Sequence, residues 1–252
     1  MENINCTFFF LLASFLFLGF STEIALGTLF TLHNNCPYTV WPGSLTGNGP
    51  ALLSPDTSTL SPGSSIHLNP PSGWSGRFWA RTGCNFDSNG SGTCSTGECV
   101  GLQCTVGGAP PVSLVEFTLN GAGGQDFYDV SLVDGYNVGI GVKPTGRSKS
   151  GNCEYAGCVT DLNKSCPPEL QVTDPNVRGS VVACKSACAA FNSPEYCCTG
   201  DHGSPQTCTP TQYSEMFKNA CPTAYSYAYD DASSTCTCSG SDYLITFCPS
   251  AV

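Results

Sequence analysis

Eighteen cysteines in 252 residues constrain this chain more than any other feature. Only Cys6 belongs to the N-terminal segment, where Phe8 to Phe20 is an apolar run followed by the small-x-small pattern Ala25-Leu26-Gly27. That arrangement reads as a secretory signal peptide, residues 1–27, although Glu2 stands where a basic residue is usual. The run is shorter than the roughly 20 residues needed to cross a bilayer, and no later stretch comes closer. The mature chain is therefore expected to start near Thr28 and to carry its remaining cysteines into an oxidising compartment, where thiols pair. A zinc reading of Cys184-x-x-x-Cys188 is the rival. It requires four convergent ligands, and the only histidines are His33, His67 and His202, widely separated. The expectation is a disulfide framework with no metal and no cofactor; the three histidines read as structural or surface residues.

The net charge of −10 makes nucleic acid a poor partner, because phosphate recognition needs basic patches. The charges are also unevenly placed. No Lys or Arg occurs between Arg81 and Lys143, whereas Asp87, Glu98, Glu116, Asp126, Asp129 and Asp134 all fall there.

Short apolar runs with period-two alternation recur between Gly, Pro and Asn clusters: Leu29 to Leu32, Tyr38 to Trp41, Arg77 to Arg81, Val115 to Leu119, Asn137 to Val142 and Tyr243 to Phe247. They predict an antiparallel β-sandwich whose last strand comes from the C-terminus. Two cysteine-dense insertions interrupt it, Cys84 to Cys104 and Cys153 to Cys221. In the second, a helix is expected over Val177 to Phe191, with Cys184 and Cys188 on one face. Another is expected to start at Thr209 as N-cap, with Pro210 at the first helical position and Gln212 closing a capping box. Tyr213, Phe217 and Cys221 then form a stripe read as core packing.

The segment Gly90 to Cys104, reading GSGTCSTGECVGLQC, closely resembles the signature of plant thaumatin-like, pathogenesis-related proteins. Further landmarks follow in order: Asn35 to Trp41, Arg77 to Cys84, Glu195-Tyr196-Cys197-Cys198, Cys221-Pro222 with Ala224 to Tyr227, and Phe247-Cys248-Pro249. Glu98 stands where the family usually has Asp; it keeps the charge. The resemblance spans essentially the whole mature chain. It implies a mainly β fold: a flattened antiparallel β-sandwich (28–81, 116–152 and 222–252) with two small disulfide-rich lobes, 82–115 and a lobe with short helices at 153–221. Cysteine order implies eight pairs: Cys36–Cys248, Cys84–Cys94, Cys99–Cys104, Cys153–Cys238, Cys158–Cys221, Cys166–Cys184, Cys188–Cys197 and Cys198–Cys208. Cys236 is left over, and its reading is a small core residue standing where the family has an aromatic one, with a thiol for pairing between chains as the alternative.

The same resemblance implies an acidic cleft built from Arg77, Glu116, Asp129, Asp134 and Asp230, with Asp231 adjacent to the last. The residues themselves agree to this extent: Glu116 alternates with Val115 and Phe117, so it faces away from the apolar side of its strand. Without the resemblance these acids would read as a solvated surface. With it, the expected role is a secreted plant defence protein, antifungal, of the apoplast or cell wall. It is expected to bind β-1,3-glucan or a related fungal wall polysaccharide as a monomer. If weak endo-β-1,3-glucanase turnover accompanies binding, Glu116 is the acid and Asp129 the nucleophile or base, with Arg77 and Asp134 orienting them. Two alternatives stand beside this reading: perturbation of fungal membrane surfaces without glycan turnover, and an inhibitor or receptor-ligand role. Trp41, Trp74 and Trp79, with the tyrosines, offer flat faces of the kind sugars stack on, although most aromatics in such a sandwich fill its core, and Trp41 reads as core. Asn89 and Asn163 head glycosylation sequons, with Asn163 the more accessible by sequence and Asn89 constrained by the small Cys84 to Cys94 loop.

Overall fold

The computed structural model describes residues 27–53, 59–146, 150–174 and 179–250. Apart from Gly27, the expected signal segment lies outside them. In chain order the strands are β1 (Phe30–Asn34), β2 (Trp41–Asn48), β3 (Ser65–Leu68), β4 (Ser75–Arg81), β5 (Asn85–Phe86), β6 (Gly92–Thr93), β7 (Leu114–Thr118), β8 (Asp126–Ser131), β9 (Ile140–Thr145), β10 (Ser150–Gly151), β11 (Ala156–Gly157), β12 (Gln171–Thr173), β13 (Val181–Cys184), β14 (Cys236–Ser239) and β15 (Asp242–Phe247). Two sheets form the sandwich, one in the order β11-β9-β15-β1-β3 and the other in the order β10-β14-β8-β7-β4-β2.

Period-two alternation places the core. Phe30 and Leu32 of β1, Val115 and Phe117 of β7, and Tyr243, Ile245 and Phe247 of β15 are all buried between the sheets. Aromatic rings interlock at its centre, with Phe30 and Phe117 centroids 4.6 Å apart and Phe117 edge-on to Tyr243 at 5.0 Å. Trp74 and Trp79 are completely buried and fill cores, as most aromatic residues of such a sandwich were expected to; Trp41, read as core, is instead the partly exposed tryptophan. One pairing departs from an all-antiparallel sandwich. The C-terminal β15 enters between β9 and β1 and runs parallel to β1, Phe30 opposite Tyr243. The Cys36–Cys248 bridge closes just beyond that pairing.

All eight disulfides form in the order the family resemblance implies. Cys236 is a buried free thiol on the same strand face as Cys238. The first lobe is organised by buried charge. Arg81, fully buried at the end of β4, donates from Nε to Trp41 O, from Nη1 to Gly101 O and from Nη2 to Pro42 O and Leu102 O. Glu98 turns its carboxylate back onto the backbone N–H groups of Cys94, Cys99 and Val100 at 2.6 to 2.9 Å. The acid in the signature is therefore a loop organiser. Gly97 sits at φ +68, and a Cβ there would lie 2.5 Å from Ala80 O, so no other residue fits.

The second lobe departs from the sequence expectation in two places. The Val181–Cys184 segment is a strand, β13, paired with β12; the β-branched Val181 and Val182 suit a ladder better than a helix turn. The helix begins only after Ser186, whose side chain caps α1 (Ala187–Phe191), so Cys184 and Cys188 lie on different elements and join different partners. After the short α2 (Pro194–Cys197), the helix α3 (Gln212–Ala220) is capped by Thr211, not Thr209, with Ser214 completing the box. Phe217 and Cys221 of the expected stripe are buried, and Tyr213 packs at the edge of the same core, against the rings of Phe191 and Tyr196. A last helical turn, α4 (Asp231–Ser234), precedes β14.

The sequons exchange rank. Asn163 Nδ2 spends both hydrogens on Asn137 O and Val182 O, so a glycan on it would break one bond that holds the lobe to the sandwich and one within the lobe. Asn89 is exposed at the tip of its turn.

Candidate functional site

Three neighbouring strands assemble the centre of the acidic cleft. β4 pairs with β7 so that Arg77 lies opposite Glu116, and β7 pairs with β8 so that Glu116 lies opposite Asp129. Directly opposed residues share a sheet face with Cβ atoms about 4.5–5.5 Å apart. Alternation turns these three outward while Val115, Phe117, Tyr128 and Val130 turn into the core. They line a cleft of 320 Å³ whose walls include Leu45, Thr46 and Phe127. Strand β8 is absent from the sequence expectation, although Asp126 to Ser131 alternates buried and half-buried residues like the others.

The site's electrostatics separate its two carboxyls. Asp129 is pushed from the ordinary 3.8 up to about 8, first by burial and then by the negative charges of Glu116 and Asp231. Its Oδ1 is buried without a hydrogen-bond partner, which disfavours the ionised form further. Glu116 is half exposed and faces Arg77 at 3.9 Å. Burial raises its pKa, the Arg77 guanidinium opposes that rise, and Asp134 adds to it. Asp129 thus keeps its proton more firmly than Glu116, the opposite of the acid and base roles expected from the sequence.

The remaining acids take different places. Asp134 acts on Glu116 through its charge and does not line the cleft. Asp230 is committed to the lobe: its Oδ2 accepts from Lys218 Nζ at 2.9 Å and from the backbone N–H and hydroxyl of Ser226 at 3.0 Å. The neighbouring Asp231 is the acid whose field reaches Asp129. Tyr225 shows how it gets there. Its backbone docks on the end of β8 through Val130 O and the Leu132 N–H, and its hydroxyl donates to Asp231 Oδ1 at 2.9 Å. Among the described residues no group of His, Cys, Asp or Glu is arranged to hold a metal ion.

The buried proton has a measurable consequence. Because the folded pKa of Asp129 lies above its unfolded value, the folded state holds an extra proton across that window. Its contribution to stability is full below about pH 4 and is lost as pH rises through about 8. Asp129→Asn removes the dependence. Denaturant unfolding at pH 4 and pH 8 is expected to show the variant gaining a few kcal/mol on the native protein between the two, since each tenfold difference in proton affinity between folded and unfolded states is worth about 1.4 kcal/mol. Parallel pH profiles for the two proteins overturn the assignment.

The model of the thaumatin family matches residues 34–249. Pathogenesis-related protein 5 of Arabidopsis thaliana is 61% identical over 236 residues, covering 93% of this chain and 96% of that protein. Pathogenesis-related thaumatin-like protein 3.5 of Cryptomeria japonica is 62% identical over 226 residues, covering 89% and 91%. A protein of Prunus avium named glucan endo-1,3-beta-glucosidase is 52% identical over 220 residues, covering 86% and 88%. With the sandwich, the eight bridges and these matches along nearly its full length, the chain belongs to the thaumatin family.

Proposed function

We propose that this protein is a secreted defence protein that binds β-1,3-glucan of fungal walls through the acidic cleft. The observation that carries the reading is the in-register row Arg77, Glu116 and Asp129, which presents a cation, a half-exposed carboxyl and a buried carboxyl whose pKa burial pushes up to about 8 on one face. Such a row suits a neutral polyol: Arg77 donates, the Glu116 carboxylate accepts from sugar hydroxyls, and protonated Asp129 can do either. Eight disulfides suit an oxidising, extracellular setting. The relative named for glucan cleavage supports the ligand class.

Any hydrolysis uses the same two carboxyls in an order set by their environments. Asp129, holding its proton near neutral pH, is the group able to protonate a glycosidic oxygen. Glu116, beside Arg77, is the group able to act ionised, as base or nucleophile. Sedimentation with insoluble β-1,3-glucan tests the reading. Glu116→Gln and Arg77→Gln are each expected to weaken retention at least tenfold with the fold intact by circular dichroism. Retention equal to that of the native protein for both variants overturns it. If turnover is detectable, Asp129→Asn is expected to abolish it.

A further inference from the structure

A second and larger cleft lies away from the acidic one. Its volume is 1110 Å³, and it shares no lining residue with the acidic cleft. The two sit toward opposite ends of β2, with Trp41 at one and Leu45 and Thr46 at the other. The large cleft also holds carboxylates, Asp161 and Asp174, but adds a larger apolar lining than the acidic cleft has. The large cleft gathers Tyr38, Trp41, Val159, Val182, Pro37 and Pro249. Tyr38 and Val159, at 45% and 42% exposure, are among the few large apolar side chains left open to water in the described residues, and both face this one depression. Convergence of exposed apolar groups on a concave surface is the mark of a ligand site rather than of scattered surface residues.

The charges narrow the ligand. The cationic Lys164 in the wall is already paired with Asp161 at 3.3 Å. Asp161, Asp174 and a net charge of −10 repel anions. Rings of Tyr38 and Trp41 favour a flat partner by stacking, and the hydroxyls of Thr39 and Thr82 at the same cleft supply hydrogen bonds. We propose that this cleft binds neutral, planar, hydroxylated aromatic compounds, small phenols as a class, independently of the acidic cleft.

The test uses 4-methylumbelliferone at pH 6, where it is a neutral planar phenol, with binding followed by calorimetry on the whole mature protein. Saturable one-to-one binding is expected. Trp41→Ala and Val159→Asp are each expected to weaken it at least tenfold, whereas Glu116→Gln leaves it unchanged. Trp41 also provides a direct reporter, because Trp74 and Trp79 are fully buried. Quenching by the probe is expected in the native protein and lost in Trp41→Ala. Absence of saturable binding overturns the proposal, as does affinity unchanged by both variants. A concentration-dependent dimer that Val159→Asp dissolves, seen by sedimentation, overturns it in favour of an interface between copies. Val159 is partly exposed and outside the core, so that variant folds even where Trp41→Ala does not.

Discussion

Full reduction of the disulfides is expected to unfold this protein outright and to make it digestible. Native bridges in small secreted domains contribute about 2–5 kcal/mol each, and a domain's whole stability is about 5–15 kcal/mol. Eight bridges together exceed that margin even at the low end of the range. Their spans differ. Cys36–Cys248 joins residues 212 apart and restrains nearly the entire mature chain, whereas Cys99–Cys104 closes a loop of separation 5. By the loop-entropy model the first is worth about 5 kcal/mol and short closures less. Trypsin digestion with and without dithiothreitol in native buffer provides the measurement. The oxidised form is expected to survive at least a hundredfold longer; equal lifetimes show that the hydrophobic core alone sustains the fold. Within the oxidised form, the paired variant Cys36→Ala/Cys248→Ala is expected to lose more stability than Cys99→Ala/Cys104→Ala.

Arg81→Met is the second large effect. Methionine roughly fills the stem of the side chain but donates nothing. The carbonyls of Trp41, Pro42, Gly101 and Leu102 then lose their shared donor, Pro42 O in a buried position and the other three in partly buried ones. A buried acceptor left unpaired costs about 1–3 kcal/mol, and relaxation recovers part of the sum, so a loss of about 4 kcal/mol is expected. For a domain of this size that lowers Tm by about 10 °C. Arg81→Lys keeps the charge beside Glu98 but cannot fork to four carbonyls, and is expected to fall between the two. A loss below about 1 kcal/mol for Arg81→Met would show that water or neighbouring groups replace the guanidinium. The bonds to Trp41 O and Pro42 O also hold one end of β2, so looser binding in the large cleft accompanies the destabilisation.

Much of the sandwich was legible because alternation is a local signal. Phe30-Thr31-Leu32, Val115-Glu116-Phe117 and Tyr243-Leu244-Ile245 announce both strand and buried face without reference to the rest of the chain. Boundaries were less legible where two local preferences compete. Thr209, Pro210 and Thr211 all suit a helix start, and only docking of α3 against the core selects Thr211. Val181 to Cys184 carries a spacing compatible with a helix, yet the neighbouring strand Gln171–Thr173 offers a ladder that captures it.

The site divides along the same line. Arg77, Glu116 and Asp129 could be named from a family pattern, and the outward turn of Glu116 followed from alternation. Their alignment depends on the register of three strands, a relation between residues distant in sequence. The roles of the acids depend on surroundings that no local pattern encodes. Asp230 and Asp231 are neighbours, but Lys218 and Ser226 claim the first while Tyr225 holds the second beside β8. Asp129 and Glu116 carry the same functional group, and burial raises both, most strongly at the more deeply buried Asp129, while Arg77 opposes part of the rise at Glu116.

By itself the sequence determined the cysteine-stapled character of this protein, its β-rich class and its family, and it named Arg77, Glu116 and Asp129 of the acidic cleft, because each is written in residue order or in a period of two. Only the tertiary structure decided which tryptophan meets solvent, which sequon is accessible, which acid keeps its proton and that a second, apolar cleft exists. Those properties arise from burial and from the fields of distant groups, and both come into being only when the two sheets close on each other.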